Sequence, residues 1–164
     1  IRDTVSLKGP LYVRIARGGE EIITKKNEKI KFGKARILIK PKDYLILSTG
    51  VMTQIALKAA NKFNLIKKKS CGVIHFNTVK PLDNKTLIKY AKKVKKIVTI
   101  EENVLSGGFG SLILEVLNEF SPQDTYKIRK IGLKDKFIEN YGTQDELFKI
   151  YNFTANQIIK KLIS

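Results

Sequence analysis

From Asp43 onward, short apolar runs of strand length alternate with longer segments whose apolar residues recur at helical spacing. Tyr44-Leu-Ile-Leu-Ser48 predicts a strand that ends in Thr49-Gly50. Met52, Ile55, Ala56, Ala59, Ala60 and Phe63 then fall on one helical face. Gly72-Val-Ile-His-Phe76 predicts a second strand, and Asp83 is placed to cap a helix carrying Leu87, Ile88, Ala91 and Val94. Lys96-Ile-Val-Thr-Ile100 predicts a third strand, followed by a loop from Glu101 to Gly110. Leu112, Ile113, Val116, Leu117 and Phe120 mark a third helix, and Tyr126 to Ile131 a fourth strand. Thr143 with Glu146, and Thr154 with Gln157, each open a terminal helix with a capping-box pattern.

Ahead of Asp43 the chain is less regular. Leu11 to Ile15 predicts a strand closed by Gly18 and Gly19. The polar, lysine-rich stretch from Glu20 to Lys34, broken by Gly33, is the best linker candidate. Arg36 to Ile39 is a short extended piece entering the turn at Pro41-Lys42-Asp43. Strands joined by single helices pair in parallel through right-handed crossovers. The fold class is therefore α/β: an open, mostly parallel twisted sheet with helices on both faces. Ligands and partners of such sheets meet the carboxyl ends of the strands, here Thr49-Gly50, Asn77-Thr78, Glu101-Glu102-Asn103 and Gly132.

Composition excludes several classes. With 164 residues, 43% hydrophobic and 29% charged, the chain is an ordinary globular mix. No run of about 18 apolar residues is present, so no membrane span is expected. The single cysteine, Cys71, cannot form an internal disulfide. The chain opens at Ile1 in what reads as the interior of a domain, so it is expected to be a piece of something longer. A net charge of +17 invites a polyanion-binding reading, because phosphate neutralisation releases counterions. Of the 32 basic residues, however, only Arg2, Arg14, Arg17, Arg36 and Arg129 are arginines, the residue that suits bidentate recognition. The lysines are spread over nearly every segment, as on solvated faces, and no specific nucleic-acid partner is expected.

Few constellations carry chemistry. Gly107-Gly-Phe-Gly-Ser111 lies between a strand and a helix, where backbone amides can bind an anion, but it matches neither a dinucleotide fingerprint nor a phosphate loop. A tight turn is the better reading. Glu101 and Glu102 could divide acid and base roles, yet neighbouring strand residues point to opposite faces, which favours interface or capping contacts. His75 is the one histidine and has no second ligand beside it, so it makes neither a metal site nor a triad. Cys71 lies close to Lys67, Lys68 and Lys69, which can lower a thiol pKa, but reads as a small residue at a strand start. Arg14 and Arg17 are the more informative basic pair. Arg17 ends its strand before two glycines, where a guanidinium suits a phosphate or carboxylate, against the simpler reading of a solvated strand end.

Taken in order, Gly9-Pro-Leu-Tyr-Val-Arg-Ile-Ala-Arg-Gly18, Ser48-Thr-Gly-Val-Met-Thr-Gln-Ile-Ala-Leu-Lys-Ala59, Thr78-Val-Lys-Pro-Leu-Asp83, Glu101-Glu-Asn103 with Gly107-Gly-Phe-Gly-Ser111, and Ile131-Gly-Leu-Lys-Asp-Lys-Phe137 resemble the C-terminal part of the thiamine-diphosphate-dependent transketolase family. That family includes split transketolases and deoxyxylulose phosphate synthases. The resemblance implies that residues 1–19 end a pyrimidine-binding domain, 20–32 form a linker and 33–164 form the transketolase C-terminal domain. It implies a cytoplasmic, homodimeric transferase acting on phosphorylated sugars, partnered by the N-terminal part or subunit of the same enzyme. Two-carbon ketol transfer is the first activity it suggests, and deoxyxylulose phosphate synthesis, a step toward isoprenoid precursors, the alternative. Thiamine diphosphate and Mg are expected to be bound outside this chain, with no catalytic, cofactor or metal residue inside it and no activity of the chain alone. Arg17 matches the family's sugar-phosphate arginine, and Glu101, Glu102, Gly107, Gly108 and Gly110 become interface or loop residues.

Overall fold

The computed structural model describes residues 4–16, 20–66 and 69–164. Its five strands are β1 (Arg36–Ile39), β2 (Tyr44–Ser48), β3 (Cys71–His75), β4 (Lys96–Val104) and β5 (Ile128–Leu133). The helices are α1 (Met52–Ile66), α2 (Asn84–Ala91), α3 (Phe109–Phe120), α4 (Gln144–Ile150) and α5 (Ala155–Ile163). The strands form one sheet in the order β1-β3-β2-β4-β5. β2, β3, β4 and β5 run parallel, and β1 alone is antiparallel, at the edge. The expected mostly parallel α/β sheet is therefore present.

Alternation along the strands divides the core into two layers. Ile46, Val73, Val98 and Ile100 face α1 and α5, packing with Ala56, Ala60, Phe63, Ile158 and Leu162. Leu45, Leu47, Ile74 and Ile97 face the other side, with Leu87 of α2 and Ile113 and Leu117 of α3. Full burial of each such side chain contributes about 1.5–3 kcal/mol. β2, buried on both faces at the middle of the sheet, therefore reads as a continuous apolar run rather than an alternating one. The helix after β2 lies on one face and the helix after β4 on the other. A crevice between their carboxyl ends follows from that reversal.

Three expectations are corrected. Residues 11–16 form no strand and pair with none of the five described, leaving Tyr12 and Ile15 exposed. An exposed segment with no strand beside it leaves its amides and carbonyls to water rather than to a ladder. The predicted loop from Glu101 begins four residues too early: β4 runs on to Val104, which pairs with Leu133, and the Leu105 amide donates to the Leu133 carbonyl at 3.0 Å. β5 starts at Ile128, opposite Ile97, rather than at Tyr126.

The stretch from Glu20 to Lys34 has neither helix nor strand, but it is tied to the domain. Glu28 takes a two-pronged ion pair from Arg36, with both bonds at 2.8 Å. Lys58 Nζ meets Glu21 at 2.6 Å, and the Gly33 amide donates to Thr78 Oγ1 at 3.1 Å.

Candidate functional site at the carboxyl ends of the strands

The carboxyl end of β4 is organised by Glu101. Ile97, Thr99 and Glu101 are two residues apart, so Glu101 follows the face that packs on α3. α3 begins after Gly108, which has no side chain to cap the helix. Glu101 supplies the missing acceptor from across the turn: its Oε2 accepts from the Phe109 amide at 2.5 Å and its Oε1 from the Gly110 amide at 2.8 Å. The helix dipole favours a negative charge at that position. Burial pushes the Glu101 carboxyl above the ordinary glutamate value, opposed by those two amides and by the charge of Lys130. Lys130 reaches in from β5 and donates to Ser111 Oγ at 3.0 Å and to the Leu105 carbonyl at 3.3 Å.

The glycines make this approach possible. A Cβ on Gly108 would overlap the Glu101 carboxylate and the Val104 carbonyl. One on Gly110 would lie 2.6 Å from Thr99 Oγ1, and one on Gly132 2.9 Å from the Asn103 carbonyl. Gly107 serves differently, turning the chain at φ +65° with no atom near its missing Cβ. The amides that an external anion would use at this helix start are thus already bonded to an internal carboxylate.

Glu102 points the other way, as alternation requires. It faces solvent and meets Arg14: Arg14 Nη1 donates to the Glu102 carbonyl at 3.3 Å and Nη2 to Oε2 at 3.4 Å. The two glutamates do not converge on one point. Arg17, the expected phosphate contact, lies outside the described residues.

A second polar cluster lies at the ends of β2 and β3. Ser48 Oγ is 3.0 Å from Thr53 Oγ1, which is 2.7 Å from His75 Nδ1. Burial pulls the His75 pKa down to about 4, assisted by the Arg36 charge and opposed by the Ser48 backbone and Glu28. His75 is thus a neutral, hydrogen-bonded core residue. Cys71 is buried as well, and burial pushes its thiol up to about 12, so it is no nucleophile at neutral pH. Sequence reasoning did not find Lys130, Thr53 or the Glu28–Arg36 pair. Each is defined by a partner 8 to 22 residues away or on another strand, and no local spacing announces it.

Among the described residues no three His, Cys, Asp or Glu side chains converge as a metal-binding group. With both Glu101 oxygens occupied by amides and His75 Nδ1 by Thr53, the donor set here does not fit a diphosphate-bound cation. Beyond the end of β5, a groove of about 420 Å³ is lined by Leu133, Lys134, Phe137, Ile138 and Tyr151, with Phe137 98% exposed. No helix of the described residues is long and apolar enough to cross a membrane.

Residues 33–158 match the family "Transketolase, C-terminal domain". The chain belongs to that family. Among curated proteins it is 37% identical over 159 residues to the 1-deoxy-D-xylulose-5-phosphate synthase of Clostridium perfringens, covering 96% of this chain and 25% of that one. It is also 37% identical over 159 residues to the synthase of the same name from Methylacidiphilum infernorum, covering 93% of this chain and 24% of the relative. The chain thus spans about a quarter of the length of these relatives. Among solved structures, a split-gene transketolase described as an inactive β4 tetramer superposes with a TM-score of 0.89 at 28% identity, over 98% of this chain and 51% of that one. The transketolase of Campylobacter jejuni, at 12% identity and a TM-score of 0.57, shares the fold.

Proposed function

We propose that this chain is the C-terminal part of a thiamine-diphosphate-dependent transferase of the deoxyxylulose phosphate synthase type, acting as scaffold and assembly surface rather than as the catalytic centre. The observation that carries this reading is identity of 37% over 96% of the chain to synthases four times its length. Residues 1–19 belong to the preceding pyrimidine-binding domain, 20–32 link it, and residues 33–164 are the C-terminal domain proper. Exposed apolar side chains, among them Tyr12, Ile15, Phe137 and Tyr141, are surface that the rest of the enzyme and its dimer mate cover. The cofactor, supplied with its Mg by those other parts, provides the carbanion chemistry in which a two-carbon unit passes from donor to aldose acceptor. Arg17 holds the acceptor's phosphate, and the assembled enzyme works in the cytoplasm. A split transketolase is the second reading, favoured by the superposition over 98% of the chain.

The complete enzyme is assayed with an aldose phosphate acceptor and either a 2-oxoacid or a ketose phosphate as donor. Turnover with the 2-oxoacid supports the synthase, and turnover with the ketose phosphate alone supports the transketolase. Turnover with neither, or turnover by the isolated chain, defeats the proposal. Arg17→Ala raises KM for the phosphorylated acceptor, and an unchanged KM removes Arg17 from the site.

A further inference from the structure

We propose that residues 20–34 form a clasp that Glu28 closes on Arg36, and that this clasp opens as a unit while the sheet stays folded. With Lys25, Lys26, Lys29, Lys31 and Lys34 all exposed and no helix or strand, the segment has the composition of a free tether. It is nonetheless fastened at both ends and in the middle, each time to a different element. Glu21 meets Lys58 of α1 at 2.6 Å, and its carbonyl accepts from Gln54 Nε2 at 3.4 Å. At the other end the Gly33 amide donates to Thr78 Oγ1 and the Ala35 amide to the Asp83 carboxylate, both at 3.1 Å. Between them lies Glu28, set by a tight turn of its own. The Glu28 amide donates to the Lys25 carbonyl at 3.1 Å, Asn27 takes a φ of +68°, and the Lys25 amide donates to Glu28 Oε2 at 3.0 Å.

These fastenings differ in strength. The side chains of Lys58 and Glu21 are each 60% exposed, so their pair contributes little. The Arg36 side chain is only 9% exposed, and its guanidinium bonds both Glu28 oxygens at 2.8 Å and the Ile23 carbonyl at 3.2 Å. All three of these bonds end on the segment, so β1 carries a nearly buried cation whose compensating charge comes from the clasp. Two-pronged, charge-assisted bonds of this kind are about twice as strong as neutral ones. The bond from Arg36 is also the main reason that the Glu28 carboxyl lies below the ordinary glutamate value, which keeps it charged at neutral pH. A buried cation that loses its carboxylate is strongly disfavoured. Arg36 therefore keeps its place only with Glu28 beside it, and the guanidinium and the segment move out to solvent together.

Limited trypsin digestion of the full chain under native conditions, with cut sites assigned by mass spectrometry, tests the clasp. When reclosing outpaces cleavage, the rate follows the open population. Glu28→Ala is expected to speed cleavage between Lys25 and Lys34 about tenfold. Hydrogen exchange at the Gly33 and Ala35 amides rises with it, while the Ile46 and Val98 amides, inside the parallel ladders, keep wild-type protection. Lys58→Ala changes the cleavage rate less than about twofold, because it removes only the exposed pair. Equal rates in wild type and Glu28→Ala overturn the proposal, and so does a Lys58→Ala that opens the segment as far as Glu28→Ala. Loss of protection at Ile46 and Val98 to match that at Gly33 overturns it as well, since the segment would then come free only with the whole domain.

Discussion

Glu101 Oε1 accepts a 2.8 Å hydrogen bond from the amide of Gly110, nine residues further along the chain. That bond, with the companion bond from Phe109, replaces a local helix cap with one supplied by the neighbouring strand. Truncation by Glu101→Ala leaves two buried amides without acceptors at the positive end of a helix dipole. The expected loss is about 2–4 kcal/mol. Glu101→Gln keeps the shape but turns an amide nitrogen toward an N–H donor, so it also destabilises. Urea denaturation reads both as lower midpoints with an unchanged slope. A Glu101→Gln variant as stable as wild type would contradict the capping role.

The glycines beside Glu101 separate two reasons for being glycine. Gly108 and Gly110 stand where a Cβ overlaps fixed atoms, the Val104 carbonyl for the one and Thr99 Oγ1 for the other. Alanine at either is expected to cost about 1–3 kcal/mol or more through overpacking. Gly107 has open space around it and only its positive φ to protect, so Gly107→Ala costs about 1–2 kcal/mol. Gly107→Asn, which tolerates that backbone region, recovers part of the loss, while Gly108→Asn recovers none. Thermal midpoints of the five variants check the ordering.

What could be read from the chain follows from where each signal resides. β2 and α1 were legible to within a few residues because Tyr44–Ser48 and the Met52–Phe63 stripe carry their periods in consecutive positions. Asp83 was legible as a cap, and its carboxylate indeed accepts from the Thr86 amide at 3.2 Å. The end of β4 was not, because Glu101-Glu102-Asn103 looks like a polar loop. Its ladder depends on Leu133, almost thirty residues later, and its inward glutamate is satisfied only by a helix start that the sequence does not show as a partner. Segment 11–16 erred in the opposite sense: an alternating apolar pattern states a preference for pairing but cannot supply the strand to pair with. Arg17 stands out in the chain as a guanidinium just ahead of Gly18 and Gly19, a position that suits a phosphate or a carboxylate equally, and only the resemblance narrows it to a sugar phosphate.

His75 gives the domain a defined response to acid. Burial first, and Arg36 second, hold its folded pKa near 4, against about 6.5 for an unfolded histidine. Between those values the unfolded chain binds a proton that the folded chain does not, so stability rises with pH across this window and falls as the pH drops through it. The full contribution is present above about 6.5 and amounts to at most about 3 kcal/mol, lost progressively toward pH 4. Glu101, with its pKa raised, works in the opposite sense above the ordinary glutamate value, and the acidic groups held low, such as Asp83, add their own loss at lower pH. A comparison with His75→Gln isolates the histidine, because the other groups are common to both proteins. Between pH 6.5 and 5 the wild-type unfolding free energy is expected to drop by more than that of the variant. Parallel curves over this range would mean that His75 titrates normally and is not held neutral by its burial.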